Sequence, residues 1–401
     1  MGLVKILFVH EVSYRKKVIF EMHEFPELLA ARGHGVEFFD FDEGAKFWVG
    51  GLAPCRETIG GRVHPDSKIT ISRPPQLGIP GLDRLLVTLT SCFALDRLLA
   101  RGKFDAVVLL AVPTYGLQTL WAAKRHGVPV IFRALDVSHK IRNNVLGFAI
   151  KWVEKRIYKR ADMLLGNNPA MTEYCERLGN RTRPSETLLA PVDLSHFAGI
   201  EPDSKLASEL GIRISDRVIT YMGSFFYFSG LDEIIRAFHE ADSTGRADSA
   251  KLLLIGGGEQ DTELRALVKE LQLQDKVIFT GFINYEKLPS YLALSTVAIN
   301  PLKKSLVTDT ALPHKVLQYL ALGLPVVSTP LKGLQAVFGD SAGIRWADSP
   351  AQILESALEL ASNPAECVAA SAAAKESVRE RLSRDGAVDA LESIIRKVAN
   401  A

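Results

Sequence analysis

With 401 residues, 47% hydrophobic and 23% charged, the chain is long enough for two or three packed domains and too apolar for wholesale disorder. The longest strictly apolar run, 106–113, is too short to span a bilayer. Four isolated cysteines at 55, 92, 175 and 367 argue against a zinc site or redox pair and fit a reducing compartment. Net charge is +2, yet residues 1–200 carry 27 Lys+Arg against 20 Asp+Glu, which suits an anionic partner or is scattered surface charge. Nine scattered histidines without H-E-x-x-H predict no metal site. The first residues run straight into a strand-like stretch without a signal-peptide pattern, which points to the cytoplasm.

In chain order, apolar runs predict strands at 4–9, 36–41, 68–72, 106–111, 128–132, 163–166 and 187–190. Amphipathic runs between them predict helices at 18–32, 82–101, 115–125, 147–160 and 169–178. In the first helix Ile19, Met22, Phe25 and Leu29 form one stripe, and Gly33 stops it. A polar stretch at 193–216 reads as a linker. A second series follows, with strands at 217–222, 251–255, 276–280, 296–300 and 325–328 and helices at 231–240, 261–271, 285–294 and 313–322. Residues 350–401 are alanine-rich and supply two or three further helices. This alternation predicts an α/β chain with two Rossmann-like domains facing a central cleft, where ligands meet the carboxyl ends of strands. The expected division is a first domain at 1–193, a linker at 194–216, a second domain at 217–375, and a C-terminal helix at 376–401 that packs back on the first domain.

Three segments carry candidate chemistry. Gly223 and Gly230 bracket a strand-to-helix junction, with Ser224 between them; this reads as an anion-cradling loop or as a plain turn. Gly256-Gly257-Gly258 follows the next strand, either for close backbone approach to a ligand or as a flexible loop. In the third, Pro313 suits a helix start and Gly323 its end, so Lys315 and Gln318 share one face. A cation in the first turn opposes the helix dipole, which an anionic ligand would explain.

These pieces, in this order, resemble the nucleotide-sugar glycosyltransferases of the GT-B fold, specifically glycosyltransferase family 4. Pro313-x-Lys315-x-x-Gln318-Tyr319-x-Ala321-x-Gly323-x-Pro325-Val326-Val327 carries the strongest likeness. Gly223–Gly230, Leu254–Gly258, Gly281-Phe282-Ile283 and Ala190-Pro191-Val192-Asp193 add to it. The resemblance implies a retaining transferase that moves a sugar, a hexose by expectation, from a nucleoside-diphosphate sugar to a glycan or lipid-linked acceptor in polysaccharide biosynthesis. The nucleotide sugar is then a co-substrate, with no cofactor, no metal and no nucleic-acid partner. Gln318 would hold the donor ribose, Lys315 the diphosphate, and Ile283 the base through backbone groups. The family's Glu-x7-Glu is altered: Thr310 stands eight residues before Gln318, and Asp309 lies one residue off register. Both count here among the donor-binding positions with Gly223, Ser224, Gly230, Gly256 and Gly257. The loop's usual Arg and Lys are absent, so the missing charge falls to Lys315 or to Lys303 and Lys304.

In the first domain, Asp136 ends a buried strand and either orients an acceptor hydroxyl or caps a helix; it and Lys315 are the expected catalytic residues. Tyr14, Arg15 and Lys16, in the loop after the first strand, are expected to meet an acceptor phosphate, the alternative being a solvated loop. Residues 140–160 hold seven Lys+Arg against Glu154 alone, with Ile150, Trp152, Val153 and Ile157 as an apolar side. That pattern fits an anionic membrane surface or a core helix. A non-catalytic sugar-nucleotide binder and a sugar-nucleotide epimerase are the competing classes.

Overall fold

The computed structural model describes residues 2–17, 19–42, 55–76, 83–141, 147–340 and 342–400. They form two compact units, one of Met1–Pro191 with Asp385–Ala401 and one of Val192–Arg384.

The first unit runs β1 (Lys5–Val9), α1 (Glu21–Ala31), β2 (Gly35–Phe39), β3 (Cys55–Gly60), β4 (Lys68–Arg73), α2 (Asp83–Gly102), β5 (Ala106–Leu109), α3 (Gly116–Arg125), β6 (Val130–Ala134), α4 (Ser138–Ile141), α5 (Gly147–Arg160), β7 (Met163–Gly166), α6 (Pro169–Gly179) and β8 (Ser185–Thr187). Its eight-stranded sheet has the order β3-β4-β2-β1-β5-β6-β7-β8, parallel except for the β3–β4 pair. Strands such as Lys5–Val9 and Ala106–Leu109 are continuous apolar runs because helices cover a parallel sheet on both faces. β3 was not expected. Its Cys-Arg-Glu-Thr-Ile-Gly is polar and largely exposed, so it has no hydrophobic run to announce it, and it is held by antiparallel pairing to β4.

The second unit runs α7 (Leu194–Phe197), α8 (Ser204–Glu209), β9 (Arg217–Ser224), α9 (Leu231–Ser243), β10 (Ala250–Gly257), α10 (Asp261–Glu270), β11 (Val277–Gly281), α11 (Leu288–Leu292), β12 (Val297–Asn300), α12 (Leu306–Asp309), α13 (His314–Leu322), β13 (Val326–Ser328), α14 (Lys332–Phe338), β14 (Ile344–Trp346), α15 (Pro350–Ala361) and α16 (Pro364–Arg381). Its six-stranded parallel sheet has the order β11-β10-β9-β12-β13-β14. The polar stretch 194–216, read as a linker, carries two short helices and groups with this unit. Asp193 and Asp203 cap those helices through their backbone N–H groups, which explains the polarity without a free linker.

The final helix α17 (Arg384–Ala399) belongs to the first unit. Val388, Leu391, Ile394 and Ile395 join the core formed by Ile6, Phe8, Leu29 and Phe38. Arg32 donates to Asp389 at 2.5 Å and to Glu392 at 3.3 Å along the same seam.

Candidate active site

In the second unit β9 and β10 run in register until Gly256 lies beside Gly223 and Gly257 beside Ser224. Gly223, Gly256 and Gly258 have φ of 136°, 128° and 158°, a region that L side chains rarely occupy. A Cβ on Gly256 would stand 2.1 Å from the Gly223 carbonyl oxygen, and one on Gly258 2.7 Å from the Phe225 nitrogen. Phe225 N–H donates to Gly257 O at 2.9 Å and Gln260 N–H to Phe225 O at 3.0 Å. The close approach that the glycine triplet permits is therefore to the neighbouring loop of the same unit. Gly230 is held in the same way, its missing Cβ 2.4 Å from the Pro301 carbonyl. Gly256→Ala should cost about 1–3 kcal/mol, the scale of a forced backbone outlier, and chemical denaturation of the variant measures it.

Helix α13 delivers the third motif as expected from its punctuation. Pro313 stands at its N-cap and Gly323, at φ 85°, ends it in the left-handed region. Val316, Leu317, Tyr319 and Leu320 are buried. The Tyr319 hydroxyl accepts from Met222 N–H at 2.6 Å, pinning the helix to β9. That contact aims Lys315 at the loop. Its Nζ donates to the Tyr221 hydroxyl at 2.7 Å, lies 4.0 Å from that ring's centre, and is 2.9 Å from where a Gly223 Cβ would stand. The Tyr221 hydroxyl in turn donates to Ser224 O at 3.0 Å. No carboxylate among the described residues pairs with Lys315, and burial lowers its ammonium to about 7. Lys303 and Lys304 differ: Lys303 pairs with Glu233 at 2.7 Å and Lys304 with Asp348 at 3.3 Å. Of the three candidate cations, Lys315 alone is without an acidic partner.

Gln318 lies one turn further on, half-buried, and makes no hydrogen bond to a described protein group. Asp309 Oδ1 accepts from Lys332 N–H at 3.1 Å, and its Oδ2 is 3.4 Å from Lys332 Nζ, so this carboxylate serves the start of α14. Thr310 is buried and its hydroxyl donates to Leu306 O at 2.8 Å. Ile283 is half-buried just after β11, beside an exposed Phe282 whose ring packs where a Gly257 Cβ would be. Among the described residues no cluster of His, Cys, Asp and Glu has the makings of a metal site.

In the first unit Asp136 follows β6 and is exposed. Enclosure by surrounding protein, then the negative charge of Glu21, raises its carboxyl above the ordinary range; its open surface limits that shift. His10, after β1, which lies two strands from β6, escaped the sequence reading. Burial, then the charges of Lys17 and His23, push its imidazole down to about 3, so the ring is neutral. Its Nδ1 accepts from Glu11 N–H at 2.9 Å, which leaves the proton on Nε2. Glu11 also accepts from Thr114 N–H at 2.8 Å, joining the loops after β1 and β5. The signal was available, since a His directly at a strand's carboxyl end is a polar group placed where these sheets bind ligands.

Tyr14 corrects an expectation. It is fully buried, its hydroxyl donates to Glu27 Oε1 at 2.5 Å and its ring packs 4.8 Å from that of Phe38, so it serves the core and not an acceptor. Arg15 and Lys16 are exposed but paired, with Glu57 and Asp42, each at 2.7 Å.

Comparison with known proteins now bears on this arrangement. Residues 203–377 match the family model described as glycosyl transferases group 1, and residues 22–191 match that of a glycosyl transferase 4-like domain. The chain is 27% identical over 202 residues to an N-acetyl-alpha-D-glucosaminyl L-malate synthase of Bacillus anthracis, covering 48% of each. It is 25% identical over 223 residues to an alpha-monoglucosyldiacylglycerol synthase of Streptococcus pneumoniae, covering 53% of this chain and 49% of that protein. These matches span about half the length of those relatives. In fold it resembles a sucrose-phosphate synthase of Thermosynechococcus elongatus, with a TM-score of 0.76 at 15% identity over 98% of both chains. It likewise resembles Anabaena HepE in complex with UDP and glucose, with a TM-score of 0.74 at 12% identity over 98% of this chain and 100% of that one. With both halves matched and two parallel-sheet units of this kind, the chain belongs to the group 1 glycosyltransferases of the GT-B fold, with a glycosyltransferase 4-like first half.

Proposed function

We propose that this protein transfers a sugar from a nucleoside-diphosphate sugar to a hydroxyl of a glycan or lipid-linked acceptor, with retention of the anomeric configuration. The observation that carries the reading is Lys315: a cation in the first turn of α13, beside Gly223, with no acidic partner among the described residues. A diphosphate is the partner such a group lacks. As the glycosidic bond to phosphate breaks, charge grows on the leaving diphosphate, and a positioned ammonium stabilises it where water does not screen it. Lys315 thus takes over the charge that Ser224 and Ser229 do not supply in the loop. Gln318 faces the ribose diol, the backbone around Ile283 meets the base, and Asp136 orients the acceptor hydroxyl. Donor consumption assayed with and without candidate acceptors tests the reading. Turnover only with acceptor supports it; binding without turnover under every acceptor supports a sugar-nucleotide binder instead.

Gln318 provides a separate check. Gln318→Leu should weaken nucleotide binding by about 1–3 kcal/mol, because a ribose hydroxyl loses its partner in a closed site. Gln318→Glu should retain or improve it by supplying a charged acceptor. Calorimetric titration with UDP and GDP compares the three proteins, and equal affinity for the leucine variant would remove Gln318 from the ribose.

The same reading includes reversible attachment to an anionic membrane surface by the basic first unit. On α5, Phe148 is 84% and Trp152 46% exposed, and Arg156 stacks 3.6 Å from the Trp152 ring centre. Lys151, Lys155, Lys159 and Arg160 lie along the same helix. Ile157 and Glu154 are buried instead, Glu154 against His139 at 2.5 Å, so only part of the apolar side is available to a surface. Among the described residues no helix is long and apolar enough to cross a membrane.

A further inference from the structure

Helix α2 presents a line of side chains that no role described so far uses. Its buried positions recur every four residues at Asp83, Val87, Ser91, Leu95 and Leu99. On the other side Leu85, Leu89 and Phe93 are 67%, 72% and 78% exposed, and Arg97 and Arg101 continue the same i, i+4 line. At 1.5 Å per residue the three apolar positions span about 12 Å, and the two arginines follow at steps of about 6 Å. Half of a bilayer's hydrocarbon core is about 15 Å thick. The line therefore has one apolar end and one cationic end, on the scale of a single leaflet and its phosphates.

Two further features share this geometry. Phe93 and Arg97 border a groove between α2 and the β1, β2, β4 and β3 strands, where the apolar Phe39, Pro75, Ala94 and Leu98 are mixed with charged side chains, Glu37 and Arg73 among them, and Arg101 stands at its end. Neither Arg97 nor Arg101 has a carboxylate partner among the described residues. Asp96, an acid on the same helix, is held elsewhere, by His126 at 2.8 Å and Arg125 at 3.6 Å. Leu85, Leu89 and Phe93 stand one turn apart, so together they form a continuous apolar patch and not single exposed side chains, and covering it would be favourable by about 25 cal/mol per Å².

We infer that α2 and the groove beside it dock on an anionic phospholipid surface, with Leu85, Leu89 and Phe93 entering the acyl region and Arg97 and Arg101 meeting the lipid phosphates. This rests on the membrane reading above and goes beyond it by assigning insertion to α2, leaving α5 a peripheral electrostatic role. The acyl region meets Leu85, Leu89 and Phe93, and the lipid phosphate meets cations at the end where α2 turns polar and the charged groove begins. The polarity of the line matches the polarity of the lipid, which scattered surface leucines would not do.

Co-sedimentation of the full chain with phosphatidylcholine vesicles, with and without phosphatidylglycerol, tests the inference. The unaltered protein should prefer the vesicles containing phosphatidylglycerol. The double variant Leu89→Ser, Phe93→Ser should partition at least about tenfold less at unchanged charge. Arg97→Glu with Arg101→Glu should abolish the preference for the anionic vesicles. All four sites are exposed, and circular dichroism confirms folding. As a second reading, Phe93→Trp should be quenched by lipids brominated along the acyl chain. Reversal of Lys155, Arg156 and Lys159 to Glu should weaken binding less than the α2 apolar pair does. If that α5 reversal releases the protein while both α2 variants bind normally and Phe93→Trp is not quenched, α2 is not the docking element and the membrane reading stands without it. If the unaltered protein ignores both kinds of vesicle, the membrane reading fails and this inference with it.

Discussion

Lys315→Ala lowers the affinity for nucleoside diphosphates by about 1.5–3 kcal/mol, the range of a hydrogen bond to a charged group, or roughly 10- to 150-fold in Kd. The geometry sets the direction. The ammonium already sits at the Gly223 loop, and its protein contact is the neutral Tyr221 hydroxyl at 2.7 Å. Loss of the side chain should leave the fold intact, because no buried carboxylate is abandoned. A pH dependence accompanies the same contact. Burial lowers this ammonium from 10.5 to about 7 in the ligand-free protein. Below that value the lysine is charged before ligand arrives. Above it the free protein holds the neutral amine, and binding an anion requires the proton back. Affinity should therefore fall as pH rises past about 7, with proton uptake on binding. Calorimetry of UDP binding in buffers of different ionisation enthalpy, at pH 6, 7.5 and 9, reads both effects. Lys315→Ala should flatten the profile as well as weaken binding. A profile that falls identically in the variant would assign the proton to another group.

Glu21→Gln should destabilise the first unit by about 3–5 kcal/mol, the usual cost of stranding one member of a buried ion pair. Arg133 and Glu21 are only 3% and 2% exposed, and their side chains meet in two parallel hydrogen bonds of 2.6 and 2.8 Å. The remaining guanidinium nitrogen donates to Gly166 O at 3.1 Å and Leu188 O at 2.6 Å. One side chain thus ties the start of α1 to the ends of β6 and β7 and to the segment after β8. Glutamine keeps the shape and removes the charge, so the guanidinium remains buried without compensation. Arg133→Met makes the reverse test, leaving the Glu21 carboxylate and the Leu188 carbonyl without the guanidinium, while Gly166 O keeps the Leu188 N–H at 3.0 Å. The pair changed together, Arg133→Met with Glu21→Leu, should recover part of the loss, since neither charge is then stranded. Denaturation followed by tryptophan fluorescence in a Trp346→Phe background, which removes the emitter of the second unit, reports the first unit. An additive double variant would show that the two residues do not act as a pair. Glu21 also raises the Asp136 carboxyl, so the single variant should lower the Asp136 pKa while it weakens the unit.

Much of the architecture was legible because its signals are local. Apolar runs such as Ile6–Val9 and the stripe of α1 announce strand and helix through their own periods. Pro313 and Gly323 mark the ends of α13 through backbone geometry that neighbours do not alter. Lys315 stood out for the same reason, as a cation at the wrong end of a helix dipole.

What the sequence by itself determined is therefore the alternation of strands and helices, the two-part division of the chain, and the helix that carries Lys315 and Gln318. Tertiary structure alone decided which residues of each motif are available. It buried Tyr14 against Glu27, paired Lys303 and Lys304 with acids, and turned Asp309 toward Lys332. It used the glycine triplet to bring two loops of one unit together, and it left Leu85, Leu89 and Phe93 uncovered on a helix whose pattern promised a core face. The physical reason is sequence separation. Arg133 finds Glu21 across 112 residues, and Lys315 finds Tyr221 across 94. Periodicity and dipole sign are properties of adjacent residues, whereas burial and pairing depend on which distant segments the sheet brings side by side.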